Sequence, residues 1–468
     1  MIVTIARANT NEYLWISTIE RIETVMHAEQ QLAEIQEVVA DVLKMAKAGG
    51  ADNAEASISK VQGIAVATRL KEVETVEFTN DGGLGISVYV DGCKGSASTA
   101  DLSKKALALT VEKAISIARY TGEDPCSGLA EKELMVEKNI DLELYHPIDL
   151  DTDAGLQLAL EAESAGLDSD DKISNSDGAS YNANIGLKVY GNTHGVNVGY
   201  PSSRYSLSCV LIAGEGDDMQ RDYAYTVSRE ADKLQAAQDV GREAAKNTVS
   251  RLGANKVNTC NVPVIIDKEL APGFIGHFVS AISGGSLYRK SSFLLDSKGE
   301  QVFPEWFDIQ ERPHIKRALA SSVFDNEGVA TYDMDIVTNG VLNHYLLTSY
   351  SARKLGTKTN GHAGGIHNWL VKDTGHSQAD LLKEMGTGLF ITELMGQGVN
   401  IVTGDYSRGA AGYWVENGVI QYPVHELTIA GNLKDIYQNI VAVGNDVEKR
   451  GSIFTGSLLL ESMSVAGE

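Results

Sequence analysis

The chain has 468 residues, 43% of them hydrophobic and only 8 proline, so it is a packed globular protein with room for two or three domains. Its formal net charge of −23 argues against a nucleic-acid-binding surface, because phosphate contacts need clustered Lys and Arg. An acidic balance of this kind suits a soluble cytoplasmic protein. The 46 glycines and 18 tyrosines point to turn-rich β-structure. The four cysteines, Cys93, Cys126, Cys209 and Cys260, include no CxxC pair and fit a reducing compartment. No run of about 18 apolar residues occurs, so no membrane helix is expected. The first 25 residues lack the apolar core and cleavage site of a signal peptide.

In chain order, residues 1–25 read as a disordered extension. Leu32, Ile35, Val38, Val39, Val42 and Ala46 then predict an amphipathic helix over 28–47, stopped by Gly49-Gly50. Strands are expected at 54–59, 64–69, 73–78, 86–90 and 95–99, separated by glycine or Asn-Asp turns. Helices over 103–120 and 153–167 precede strands at 186–198, 205–213 and 223–228, and a helix over 229–252 follows. Helices laid on a largely antiparallel sheet make residues 26–252 an α+β domain. Residues 253–261 read as a boundary, and 253–468 as a C-terminal domain rich in glycine and strands. That domain opens with a strand at 262–266. Phe274, Ile275, Phe278, Val279 and Ile282 then recur at helical spacing until Gly284-Gly285, which are expected to end the helix. Later strands are expected at 399–403, 411–422 and 453–460.

Few residues suggest chemistry directly. His362 and His367, in GHAGGIH, lie close in sequence, but a metal site would need a third ligand from elsewhere, and no carboxylate is adjacent. His277 reads as a helix residue that could face a cleft. In the segment 404–418, Asp405 could pair with Arg408, or Arg408 could hold a carboxylate. The small run from Gly409 to Gly412 would leave backbone open to an added peptide strand; the alternative is a tight hairpin. Ser283, Ser286 and Ser291 surround the helix at 272–289, yet no G-x-S-x-G elbow accompanies them. The acidic run 168–171 lacks a calcium loop's glycine, and Gly386-Thr387-Gly388 lacks the rest of a dinucleotide fingerprint.

Long strings place the chain beside a known family. DGGLGISVYVDGCKGSAST (81–99), SGGSLYRKSSFLLDS (283–297), LLTSYSARKLG (346–356), NGHAGGIHN (360–368), LMGQGVNIVTGDYSRGAAGYWVENG (394–418) and IAGNLKDIYQNIVAVGND (429–446) resemble the TldD/PmbA metallopeptidase family, on the side of its PmbA (TldE) branch. The resemblance implies a two-domain fold with a degenerate active-site helix. Catalytic TldD members carry His-Glu-x-x-x-His there, two zinc ligands and a general base, plus a third ligand from a C-terminal cysteine. This chain has Ser280, Ala281 and Gly285 at those positions and no cysteine after Cys260. Serine is a poor zinc ligand, alanine takes no proton, and glycine has no side chain. The resemblance therefore implies a subunit without its own catalytic residues, metal or cofactor, joined to a TldD-like partner that supplies zinc. Its substrates would be extended peptides: unfolded or leader-bearing chains and unstable antitoxins. His277, Arg289, His362, His367, Asp405, Arg408, Gly409 and Gly412 are its candidate groove or interface residues. The family's older description as a gyrase modulator finds no support for direct DNA binding in so acidic a chain.

Two other readings stay open from the residues. One is an independent hydrolase whose metal is held by His277, His362, His367 and Asp405 or Glu416. The other is a homodimer that binds peptides without cleaving them.

Overall fold

The computed structural model describes residues 3–6 and 28–467. The chain divides into two compact units. The first is Met1–Val249 with Lys316–Ala318 and Val323–Ala330; the second is Ser250–Ile315, Leu319–Ser322 and Thr331–Glu468.

The first unit contains β1 (Val3–Ala6), α1 (Ala28–Ala48), β2 (Asn53–Arg69), β3 (Glu72–Val90), β4 (Cys93–Thr99), α2 (Lys104–Tyr120), α3 (Thr152–Leu167), β5 (Ile173–Asn192), β6 (Asn197–Ala213), β7 (Gln220–Ser228) and α4 (Ala237–Val249). Its sheet runs β1-β3-β2-β5-β6-β7, with β4 also on β3, and every pairing is antiparallel. One face is apolar. Ala54, Ala56, Ile58, Ile64 and Val66 of β2 alternate into the core, as a half-buried strand should. Ile35, Val39 and Val42 of α1 and Leu107, Val111 and Ile115 of α2 cover the first part of that face. Of the expected extension at 1–25, residues 3–6 form β1, paired with Thr75–Phe78; the rest lies outside the described residues.

The strands are longer than their local signals. The four runs expected between 54 and 90 are two continuous strands, because residues 59–62 pair with 80–83 on one side and 185–188 on the other. Cross-strand pairing carries the backbone through Gly63, held on both edges, and through Gly82-Gly83, held on β2, where the glycines suggest a turn. The reversal falls instead at Leu70-Lys71, both in the left-handed region (φ 53° and 63°). Side chains are strained there, and the buried Glu163 carboxylate compensates by accepting both amides (2.7 and 3.0 Å) and the Ser176 hydroxyl (2.6 Å). The strand expected at 186–198 divides at a turn into β5 and β6, and residues 173–185 extend β5. The helix expected over 229–252 begins only at Ala237.

The second unit contains β8 (Cys260–Ile266), α5 (Ala271–Ala281), α6 (Gly284–Tyr288), β9 (Ile309–Glu311), β10 (Met334–Thr338), β11 (Val341–Leu342), α7 (Ser349–Lys354), β12 (Trp369–Val371), α8 (Gln378–Met385), β13 (Gly388–Met395), β14 (Asp405–Glu416), β15 (Val419–Asn432), α9 (Leu433–Gln438), β16 (Ile440–Val443), β17 (Ile453–Phe454) and β18 (Leu458–Ala466). One sheet runs β15-β14-β13-β8-β18-β16, and a further β15–β18 pairing closes five of its strands into a small barrel. A second sheet runs β11-β10-β9-β12-β17. Phe274 and Phe278 of α5 meet Tyr406, Tyr437, Phe303 and Trp369 edge-on or tilted, which makes α5 the central element of this core.

Four expectations change here. Gly284-Gly285 do not stop a helix. α5 ends at Ala281, and Gly284 opens α6 because only glycine fits there; a Cβ would lie 2.3 Å from Ser351 Oγ. Residues 399–403 form a turn bridged at Val399–Tyr406 and not a strand. The run 411–422 is a hairpin, reversing at Asn417-Gly418 with φ 52° and 74°. The strand expected at 453–460 is split between β17 and β18.

Candidate functional site

The helix pair α5–α6 holds the three positions singled out from the sequence. Ser280 is exposed, and its Oγ donates to the Gly276 carbonyl (3.2 Å). Ala281 is fully buried in the core. At Gly285 a Cβ would lie 3.2 Å from Arg289 Nη2. Arg289 itself lies against Tyr288, with its Nη1 donating to the phenol oxygen at 3.1 Å and its charge 5.2 Å from the ring centre. A guanidinium thus covers the last of the three positions. Among the described residues no group of three His, Cys, Asp or Glu side chains is arranged to hold a metal ion.

One turn before Ser280, the ring of His277 packs on Tyr406 of β14 with centroids 5.9 Å apart. His277 Nε2 and Tyr406 Oη are both sealed from solvent without a hydrogen-bond partner. Burial, and then the charge of Arg408, hold the His277 pKa below its ordinary value. Burial pushes the Tyr406 phenol up to about 12. Asp405 does not pair with Arg408. Strand alternation puts them on opposite faces, and Asp405 accepts from Thr403 (2.6 Å) and Asn432 (3.2 Å). Gly409 and Gly412 do not open the backbone to an added strand either, because β14 is paired along both edges, to β13 and β15. They permit close strand approach instead: a Cβ at Gly412 would stand 2.1 Å from the Phe390 carbonyl oxygen.

His362 and His367 do come together, on a residue that sequence inspection missed. Glu311, 1% exposed at the end of β9, accepts from His362 Nε2 at 2.6 Å and from the His367 amide at 2.5 Å, with His367 Nδ1 at 3.5 Å. His362 Nδ1 faces Asn360 Oδ1 at 3.0 Å. That oxygen also accepts the Leu347 amide, while Asn360 Nδ2 donates to the Tyr345 carbonyl, which fixes the amide's orientation. Both His362 nitrogens therefore face acceptors, and the ring donates from each. Burial alone would raise the Glu311 pKa; the hydrogen bonds and charges of the two histidines overcome it and hold the carboxyl at about 2. The cluster is a closed ion-pair network with no open coordination position. Glu416 accepts from Trp414 Nε1 (2.9 Å), so the four-residue metal set considered from the sequence is not assembled. Ser291 Oγ donates to the Ser286 carbonyl (3.2 Å), and Asp168 pairs with Lys71 (2.9 Å).

The fold has known counterparts. Family descriptions for the PmbA/TldA metallopeptidase domain 1, central domain and C-terminal domain match residues 54–118, 145–252 and 259–467. The chain belongs to the PmbA/TldD family. Within that family it is 56% identical over 450 residues to a "Metalloprotease PmbA homolog" of Haemophilus influenzae, covering 96% of this chain and 99% of the relative. It is 54% identical over 446 residues to "Metalloprotease PmbA" of Escherichia coli O157:H7, covering 95% and 99%. A crystal structure from Bacteroides thetaiotaomicron, described as a putative modulator of DNA gyrase, superposes with TM-score 0.88 at 28% identity, covering 93% of this chain and 99% of that one. TldE from Thermococcus kodakarensis shares the fold, with TM-score 0.82 at 18% identity over 92% and 100% of the two chains. The C-terminal domain match, residues 259–467, spans the α5–α6 pair and the barrel strands.

Proposed function

We propose that this chain is the non-catalytic, TldE-like subunit of a two-chain zinc peptidase in the cytoplasm. A TldD-like partner would contribute the metal and the general base; this chain would contribute groove walls that hold extended peptide, including unfolded or leader-bearing chains and unstable antitoxins. The observation that carries the reading is the state of the helix pair. One former ligand position is a serine bonded to its own helix, the general-base position is a buried alanine, and the other ligand position is a glycine beneath Arg289. That donor set does not fit a zinc ion, which needs three or four N, S or carboxylate ligands, so no hydrolytic step is assigned to this chain. PmbA relatives named as metalloproteases support membership in a proteolytic system.

The test is zinc content and peptidase activity of the purified chain, alone and after mixing with a TldD-like subunit. Zinc well below one per chain, with chelator-sensitive cleavage only in the mixture, is the expected result. One tightly held zinc per chain, or cleavage by the chain alone, would refute the reading.

A further inference from the structure

We infer that the face of β14 turned toward α5 is a carboxylate-binding subsite, built from Arg408, Tyr406 and His277. The inference rests on the reading above, that this chain holds extended peptide, and it names the chemical group recognised.

Arg408 makes no salt bridge among the described residues, in a chain whose net charge is −23. Its Nη2 and Nε donate to the main-chain oxygens of Leu394 (3.2 Å) and Met395 (3.5 Å), and the guanidinium lies beside the Tyr406 oxygen, to which it can also donate. Those two bonds aim the guanidinium along the strand and leave donors unused, since arginine carries five N–H groups and no acceptor. Two residues earlier, on the same side of the strand, the Tyr406 hydroxyl lies next to Arg408 yet finds no acceptor for its proton. His277 Nε2, across the ring contact, is equally unpartnered. Buried polar groups in folded proteins are nearly always paired, so a tyrosine proton without an acceptor and an unpartnered histidine nitrogen, beside an unneutralised arginine, mark a place where an acceptor is missing. Asp405 cannot supply it from the opposite face.

A carboxylate fits this lack. Its two oxygens lie in one plane, can accept from the free Nη1 and Nη2 hydrogens at the end of the guanidinium, and carry the counter-charge that Arg408 is without. Arg408 and His277 are half-buried, and Tyr406 is buried between the strand and α5. Every peptide brings one carboxylate at its C-terminus, and Asp or Glu side chains bring others, so either source would serve.

The test uses the full chain and a fluorescein-labelled, unstructured decapeptide in three forms: free C-terminal acid, C-terminal amide, and amide with one internal Asp. The acid is expected to bind about tenfold or more tighter than the plain amide, the preference of one charge-assisted bidentate contact. Tyr406→Phe, which removes one oxygen, should reduce binding of the acid several-fold and leave the amide unchanged. Arg408→Gln should bring the acid-to-amide ratio to about one. Tight binding of the Asp form assigns the site to side-chain carboxylates, and its absence assigns it to the C-terminus. Equal binding of all three forms, or variants that weaken acid and amide alike, would overturn the subsite while leaving a peptide groove intact. If no form binds, the peptide-holding reading fails, and the subsite is then decided by titrating acetate against the His277 ring resonances. A saturable shift absent from Arg408→Gln retains the subsite, and no shift removes it.

Discussion

Replacing Glu311 with Gln tests whether the His362–Glu311–His367 network is held by charge. The carboxyl pKa falls from 4.5 to about 2 in the folded chain. At 1.36 kcal/mol per unit, that shift corresponds to about 3 kcal/mol of stability at neutral pH. Because the folded pKa is the lower one, the contribution is complete above the unfolded value near 4.5 and drains away as pH falls toward 2. By the same arithmetic less than half of it remains at pH 3. Glu311→Gln keeps the shape and removes the charge. It should lower the unfolding free energy of the second unit by about 3 kcal/mol at pH 7, within the range for breaking a buried ion pair. The deficit should shrink by more than half at pH 3. Trp369 sits directly across from Glu311 in the β9–β12 pairing and is fully buried, so urea unfolding followed by tryptophan fluorescence reads the right neighbourhood. A variant as stable as the parent at pH 7, or a deficit that does not change between pH 7 and pH 3, would refute the charge-based account.

Glu163→Gln should weaken the β2–β3 turn, because two strained amides lose a charged acceptor. A loss of about 2–3 kcal/mol is expected, visible as faster hydrogen exchange at Leu70 and Lys71. Converting Leu70-Lys71 to Asn-Gly should act in the other direction, adding about 1 kcal/mol in thermal or urea unfolding by relieving two left-handed residues. Gly284→Ala drives a methyl onto Ser351 Oγ at 2.3 Å and should cost about 1–3 kcal/mol. Gly276→Ala, in α5 with nothing within 4 Å, should be neutral or add up to about 1 kcal/mol, so the urea midpoint should fall for the Gly284 variant and not for the Gly276 variant.

The sequence by itself determined the elements whose signal is local. The 3.6-residue spacing of Phe274, Ile275 and Phe278 located α5, and the side chains at 280, 281 and 285 were legible without coordinates because a donor is either present or absent in the residue type. Helices α1, α2 and α3 were equally plain, each with one apolar stripe. Strand length was not local. Glycine and Asn-Asp at 79–83 have the composition of a turn, and only hydrogen-bonded neighbours on β2 keep that segment extended. The same holds for Gly284 and Gly412, which read as freedom and serve as clearance for Ser351 and the Phe390 carbonyl. Glu311 lies 51 residues before His362, in a three-residue strand with no pattern of its own. The β9–β12 pairing alone carries that carboxylate to the two histidines, because a buried charge is tolerated only where the fold delivers its partners.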